Sequence, residues 1–214
     1  MNGVGRFVFA SSIKAVAEVD PGRPLREDDP PRPQDAYGRS KLEAEQALRT
    51  YGAESELDVI VVRPPLVYGP GVRANFFSLM RMIDRRIPLP LGAIDARRSL
   101  VYVDNLADSI IRCASDPQAE GGCFHVADAE SLTVAELARA IGTHLQKPAR
   151  LLAVPPSWLR FAGRITGRMA QVERLTSSLR VDNSRIRARL NWQPSYSVDE
   201  GLAETIRWYR MSGH

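Results

Sequence analysis

Arg6-Phe7-Val8-Phe9-Ala10-Ser11-Ser12 is a short apolar run that closes in two small hydroxyl residues, and its reading decides the fold. The run lacks polar alternation, as a strand covered on both faces does, and predicts a buried strand over Arg6–Ser11. A connection with prolines at 21, 24, 30, 31 and 33 follows from Ile13 to about Asp35. A loop of that length is either functional or mobile. Asp35 is placed to cap a helix that runs through Tyr37-Gly38-Arg39-Ser40-Lys41 to about Thr50, with Gly52 as its stop. Asp58-Val59-Ile60-Val61-Val62-Arg63 reads as a second strand from its β-branched content, ended by Pro64 and Pro65.

Further along, Phe76, Leu79, Met80 and Ile83 recur at helical spacing. Ser99 to Val103 predicts a strand, with Asp104 capping a helix that carries Leu106, Ile110, Ile111 and Ala114. Cys123 to Ala127 predicts a short strand. Thr133 and Glu136, and again Ser197 and Glu200, have the spacing of a capping box. Strand and helix alternate, so the fold class is α/β with a mainly parallel sheet, and the C-terminal third reads as a smaller, mostly helical lobe.

The 214 residues are 44% hydrophobic and 25% charged, which excludes wholesale disorder and fibrous repeats. No apolar run approaches the ~20 residues of a membrane-spanning helix, and the N-terminus lacks the pattern of a secretory leader. Cys113 and Cys123 alone make no disulfide framework and read as two buried thiols of a cytoplasmic protein. The formal charge of +4 comes from arginines spread among acids, without zinc spacing or an RNA-binding aromatic signature. That argues against nucleic acid as a partner.

Ser12 at a strand end, Tyr37 and Lys41 are the strongest chemical constellation. Tyr37 and Lys41 are four apart on the expected helix and share a face. An ammonium beside a phenol favours the phenolate, so such a tyrosine serves as a base nearer neutral pH, and a strand-end serine hydroxyl can bond the same substrate oxygen. Taken alone, the spacing also fits a surface tyrosine next to a solvated lysine.

The order RFVFASSIK, a proline-rich loop, YGRSK, a strand and then VVRPPLVYGPG resembles the extended short-chain dehydrogenase/reductase family. More narrowly it is similar to the nucleotide-sugar epimerases, dehydratases and 4-ketoreductases of UDP-glucose 4-epimerase type. RSLVYVDNLADSI and LNWQPSYSVDEGLAETIRWY extend the resemblance over essentially the full chain. It implies the C-terminal part of a Rossmann-like doubly wound parallel sheet plus a small, mostly helical substrate lobe. Residues 1–70 would be the remainder of the NAD-binding domain, and residues 71–214 mainly the substrate lobe, with 99–127 returning to the sheet.

The resemblance also implies the chemistry. NAD or NADP exchanges hydride with a sugar carbon while Tyr37 moves the hydroxyl proton. Lys41 tunes Tyr37 and holds the nicotinamide ribose, and Ser12 positions the hydroxyl. Ser11 and the Pro64 backbone lie with the cofactor. Asn75 and Arg98 would contact the substrate diphosphate, as a helix N-terminus and a planar guanidinium suit an anion. Arg97 competes with Arg98 if the register slips, Asn75 also reads as a helix cap, and Arg98 as a solvated charge. A second diphosphate arginine is Arg174 or Arg180, with Arg174 preferred. An NDP-hexose of surface polysaccharide synthesis is the implied substrate, and a homodimer paired through the tyrosine helix the implied assembly.

The family's opening strand, glycine-rich turn and helix have no match here. Gly3 and Gly5 precede the serine strand and open no helix. About three strand-helix units would precede such a start in the family, leaving Arg6–Ser11 as a hydrophobic edge. The alternative reading is therefore a truncated, non-catalytic remnant or binding module. Among the remaining features, His125 reads as core, and His144 and His214 lack metal-ligand company. The stripe Trp158, Leu159, Phe161, Ala162, Ile165 and Met169, with Arg160, Arg164 and Arg168 opposite, reads as lobe packing, with a membrane-surface helix as the sharper alternative.

Overall fold

A computed structural model describes residues 3–212, so His214 lies outside the described residues. β1 (Arg6–Ala10), β2 (Asp58–Arg63) and β5 (Cys123–His125) form a parallel sheet in the order β1-β2-β5. β3 (Leu66–Tyr68), β4 (Arg97–Tyr102) and β6 (Ser131–Thr133) form a second sheet, parallel between β3 and β4 and antiparallel between β4 and β6. Strand Arg97–Tyr102 therefore sits beside β3, and within 99–127 it is Cys123–His125 that pairs with β2. Helices α1 (Ala36–Ser55), α2 (Ala74–Asp84) and α3 (Val103–Ser115) alternate with the strands. The C-terminal part holds α4 (Val134–Leu145), α5 (Pro156–Ile165), α6 (Met169–Thr176), α7 (Ser184–Leu190) and α8 (Val198–Met211).

β2 is buried along almost its full length, as its run of valine and isoleucine requires. β1 is different. It is the hydrophobic edge that the family resemblance implies, half-buried with Phe7 exposed, and not the strand covered on both faces that its apolar run predicts. The physical reason is that, among the described residues, β2 alone pairs with it, although its apolar residues suit a covered position. Arg6 anchors it by an ion pair to Asp58 at 2.6 Å and by donating to the carbonyls of Cys113, Ala114 and Asp116 at the end of α3.

Two expected helix boundaries are corrected. α1 runs through Gly52 to Ser55 and ends with Glu56 in the left-handed region, φ 58°. Gly52 serves close approach instead, because a Cβ there would meet the Leu57 carbonyl oxygen at 2.8 Å and Val59 at 2.9 Å. α3 begins at Val103 directly after β4, so Asp104 lies inside the first turn, where it faces the helix dipole without capping. Both capping boxes form, at Thr133–Glu136 and Ser197–Glu200.

The proline-rich connection is a packed strap. Its Leu25 bridges Val181, the Asp20 amide donates to the Ser178 carbonyl, and the Asp182 amide donates to Leu25. Ile13, Val16 and Leu25 form a small core with Ala127, Leu179 and Val181. A second core lies under the first sheet around Ile60, Val62, Phe124 and Trp192. The largest lies between the second sheet and α2, α4 and α8. Its polar centre is buried Asp128, which accepts from Tyr68 Oη at 2.9 Å, Asn105 Nδ2 at 2.8 Å and the Tyr102 amide at 3.1 Å. No described helix is long and apolar enough to cross a membrane.

Candidate active site

The C-terminal end of β1 gathers the predicted acid-base residues. Ser12 is buried and leaves the strand as the cap of a short 3-10 turn, Ile13–Ala15, its Oγ accepting from the Lys14 amide at 3.3 Å. α1 approaches this turn at backbone distance, because a Cβ on Gly38 would overlap the Lys14 carbonyl oxygen. Gly38 is thus what lets Tyr37 stand beside the serine turn. Asp35 caps the helix by accepting from the Gly38 amide at 2.7 Å. Lys41, one turn on, donates to the Ala10 carbonyl at 3.0 Å, two residues before Ser12. Its ammonium lies 4.9 Å from the centre of the Phe9 ring and 5.8 Å from that of Tyr37.

The strand end is therefore bracketed by Lys41 before Ser12 and by the Gly38 contact after it. Tyr37 is 51% exposed, on the solvent side of this strand end. An ammonium has three donors, and Ala10 takes one of Lys41's, leaving two for a ligand. Buried Pro64 lies beside the turn, its carbonyl accepting from the Ile13 amide at 2.9 Å.

Beneath these residues lies a network that spacing alone did not reveal. Glu45 is on the same helix face as Lys41, one turn further along. Its carboxylate takes two bonds from Arg63, Nε at 2.9 Å and Nη2 at 2.6 Å, and one from Ser11 Oγ at 2.5 Å. All three residues are buried. Ser11, expected beside a cofactor, spends its hydroxyl here. Burial works against the Arg63 charge, but the Glu45 carboxylate outweighs it and raises the Arg63 pKa. The only sequence signal for the pair was a glutamate on a helix and an arginine closing an apolar strand.

Arg98 and Arg174 also come together. The Arg98 guanidinium donates to the Arg174 carbonyl, while Arg174 Nε pairs with Glu18 at 3.0 Å and its Nη2 approaches Asp35 at 3.8 Å. Lys14 joins the group, 2.6 Å from Asp35 and 3.5 Å from Glu18. The Lys14 bond, followed by that of the Gly38 amide, holds the Asp35 carboxyl at a pKa of about 2. Three cations thus face two carboxylates, and among the described residues no carboxylate forms an ion pair with Arg98. Burial first, and the Arg174 charge as well, lower the Arg98 pKa. A half-buried guanidinium beside a second cation suits an incoming anion.

The alternatives divide clearly. Arg180 is held by Asp20 through Nε at 2.8 Å and Nη2 at 3.1 Å. Exposed Arg97 bonds the Ser131 carbonyl and Glu136. Asn75 is the second residue of α2, exposed, and does not cap it; Arg73 is the N-cap and makes no side-chain cap bond. Among the described residues, Asn75 makes no hydrogen bond to Arg98 or Arg174. His125 is wholly buried, its Nδ1 3.2 Å from the Leu25 carbonyl, with a pKa lowered by burial to about 4. His144 pairs with Asp199 at 2.8 Å. Cys113 and Cys123 are buried free thiols, and burial raises the pKa of Cys113 to about 12. No cluster of side chains able to hold a metal ion occurs among the described residues.

Residues 1–127 match the NAD dependent epimerase/dehydratase family. The chain is 41% identical to a UDP-glucose 4-epimerase of Vibrio cholerae, over all of this chain and 66% of that protein. It is 30% identical to a UDP-glucose 4-epimerase of Mycolicibacterium smegmatis, over 97% of this chain and 63% of the relative. The chain thus spans slightly less than two thirds of the length of these relatives. Among solved structures, a Thermotoga maritima UDP-glucose 4-epimerase with UDP-glucose superposes with a TM-score of 0.76 at 21% identity, over 99% of this chain and 65% of the other. RMD from Pseudomonas aeruginosa complexed with NADPH gives 0.77 at 22%, over 98% and 68%. At those identities the superpositions show the Rossmann-like fold.

Proposed function

The chain belongs to the NAD dependent epimerase/dehydratase family, and from that premise we propose that it carries the catalytic and substrate-binding part of a nicotinamide-dependent nucleotide-sugar epimerase or 4-ketoreductase. The observation that supports this most is the position of α1. It sets Tyr37 and Lys41 against the end of β1, while its cap Asp35 belongs to the charged group around Arg174 and Arg98. One helix thereby relates a proton-moving phenol to an anion-binding pair.

In this reading Tyr37 takes the proton from a sugar hydroxyl and returns it, and Ser12 orients that hydroxyl. Lys41 sets its ammonium beside the phenol and uses its remaining donors on ribose hydroxyls. The donor set of an exposed phenol and a partly engaged ammonium fits the nicotinamide end of NAD or NADP, which supplies hydride acceptance and donation when bound. The Pro64 backbone lines that end. Arg98 and Arg174 hold the diphosphate of an NDP-hexose, a substrate suited to surface polysaccharide synthesis, and Asn75 reaches the same diphosphate from α2. Two copies pair through α1.

The test is to incubate the protein with NAD and a UDP-hexose, and separately with NADPH and a 4-keto sugar nucleotide, following the product by NMR. Stereochemical inversion or ketone reduction is expected. A second reading keeps only the binding half of the site, the Arg98–Arg174 pair, which needs no nicotinamide. It holds that the chain binds sugar nucleotide without redox chemistry. Calorimetric binding of UDP-sugar with no turnover under either condition would favour it and overturn the catalytic reading.

A further inference from the structure

α5 presents an apolar face to solvent. Leu159 packs on the largest core, and Gly163 lies against Val172 of α6, where a Cβ would come within 2.9 Å. The stripe expected to pack therefore does so only in part, since Trp158, Phe161 and Ile165 are 71%, 65% and 71% exposed. At 3.6 residues per turn these three share one stripe turned away from Leu159 and Gly163, and Arg160 and Arg164 lie along its flank. Arg168 follows in the turn to α6.

The charge around this stripe is one-sided. Among the described residues, Arg160, Arg164 and Arg168 form no ion pair with a carboxylate. Residues 137–172 contain no aspartate or glutamate, but hold Arg139, Lys147, Arg150, Arg160, Arg164 and Arg168. These cations outnumber the surplus of four in the full chain, so the remainder is net acidic.

We infer that α5 docks on an anionic lipid bilayer, with Trp158, Phe161 and Ile165 entering the headgroup boundary and Arg160, Arg164 and Arg168 meeting lipid phosphates. An apolar stripe flanked by unpaired arginines, in a segment free of acids, complements such a surface in both polarity and charge. The stripe is the convex side of a single helix, which a fluid bilayer accommodates without a preformed groove. A nucleic acid would satisfy the arginines and leave Ile165 in water. Docking also has a consequence for the anion pair. α5 and α6 form one hairpin, and Arg174 lies in the last turn of α6. The membrane contact and the arginine pair are thus parts of a single unit, although the docking stands without the catalytic reading.

Co-sedimentation of the full chain with vesicles tests this. Uptake is expected on phosphatidylcholine vesicles containing phosphatidylglycerol, weakening as salt rises, with little on phosphatidylcholine alone. Trp158→Ser with Phe161→Ser should lower the partition coefficient roughly tenfold or more, and Arg160→Gln with Arg164→Gln by roughly tenfold. All four side chains are exposed, and an unchanged melting temperature confirms that the variants fold. No uptake on the anionic vesicles at low salt, or equal uptake by the serine variant, overturns the inference. So does a wild-type dimer that ignores vesicles and becomes monomeric in the serine variant, which would assign the stripe to a second copy.

Discussion

Glu45 and Arg63 make a buried pair with almost no access to water. Removing one partner of such a pair leaves an uncompensated charge in the interior, at a cost of about 3–5 kcal/mol. Glu45→Ala should destabilise the protein by that amount in urea unfolding and loosen the strand end that Ser11 shares with it. Glu45→Leu with Arg63→Met should recover much of the loss, because no charge is then stranded. His125 makes a different prediction. Burial lowers its pKa to about 4 from an unfolded value near 6.5, so between those limits the unfolded chain binds a proton that the folded chain does not. Stability should therefore be fully present above pH ~6.5 and decline by up to about 3 kcal/mol as pH falls toward ~4. A His125→Asn variant, whatever its absolute stability, should lose that slope in unfolding curves taken across the window.

At α1, the decisive residue is a glycine. Gly38→Ala should push the first turn of the helix off the serine turn, because the new methyl overlaps the Lys14 carbonyl oxygen. Activity is expected to fall more than tenfold with a melting temperature lowered by several degrees. Undiminished turnover in this variant would contradict the close approach. The same helix shows what sequence reading can and cannot reach. Its existence, its Asp35 cap and the Tyr37–Lys41 face follow from local patterns that need no partner, and so do both capping boxes. Gly52 was misleading because glycine meets two needs, a left-handed stop and a close approach, and only the position of β2 tells them apart. The Ser11–Glu45–Arg63 network stayed hidden for the same reason, since its members come from three elements. The β1 strand was legible from its apolar run, and its place at an edge from the family resemblance, since periodicity does not encode the pairing order.

Across the protein, charge is sorted by location. Arginines such as Arg6 and Arg180 answer a neighbouring carboxylate, those of α5 face outward unpaired, and Arg98 stands beside Arg174 without a carboxylate of its own. If that pair holds a diphosphate, Arg98→Ala should weaken UDP binding by roughly tenfold to a hundredfold in calorimetry. Arg97→Ala, which removes an exposed guanidinium already bonded to Ser131 and Glu136, should change it little. The reverse order would place the anion one residue away, on the other face of β4. In the proposed reaction the chemistry depends on the phenol of Tyr37. The most direct measurement is the single-turnover rate of hydride transfer between nicotinamide and sugar nucleotide in the wild type and in Tyr37→Phe, with cofactor affinity followed in parallel. The account predicts a rate roughly a hundredfold to ten-thousandfold lower with unchanged affinity. Equal rates in the two proteins would contradict it.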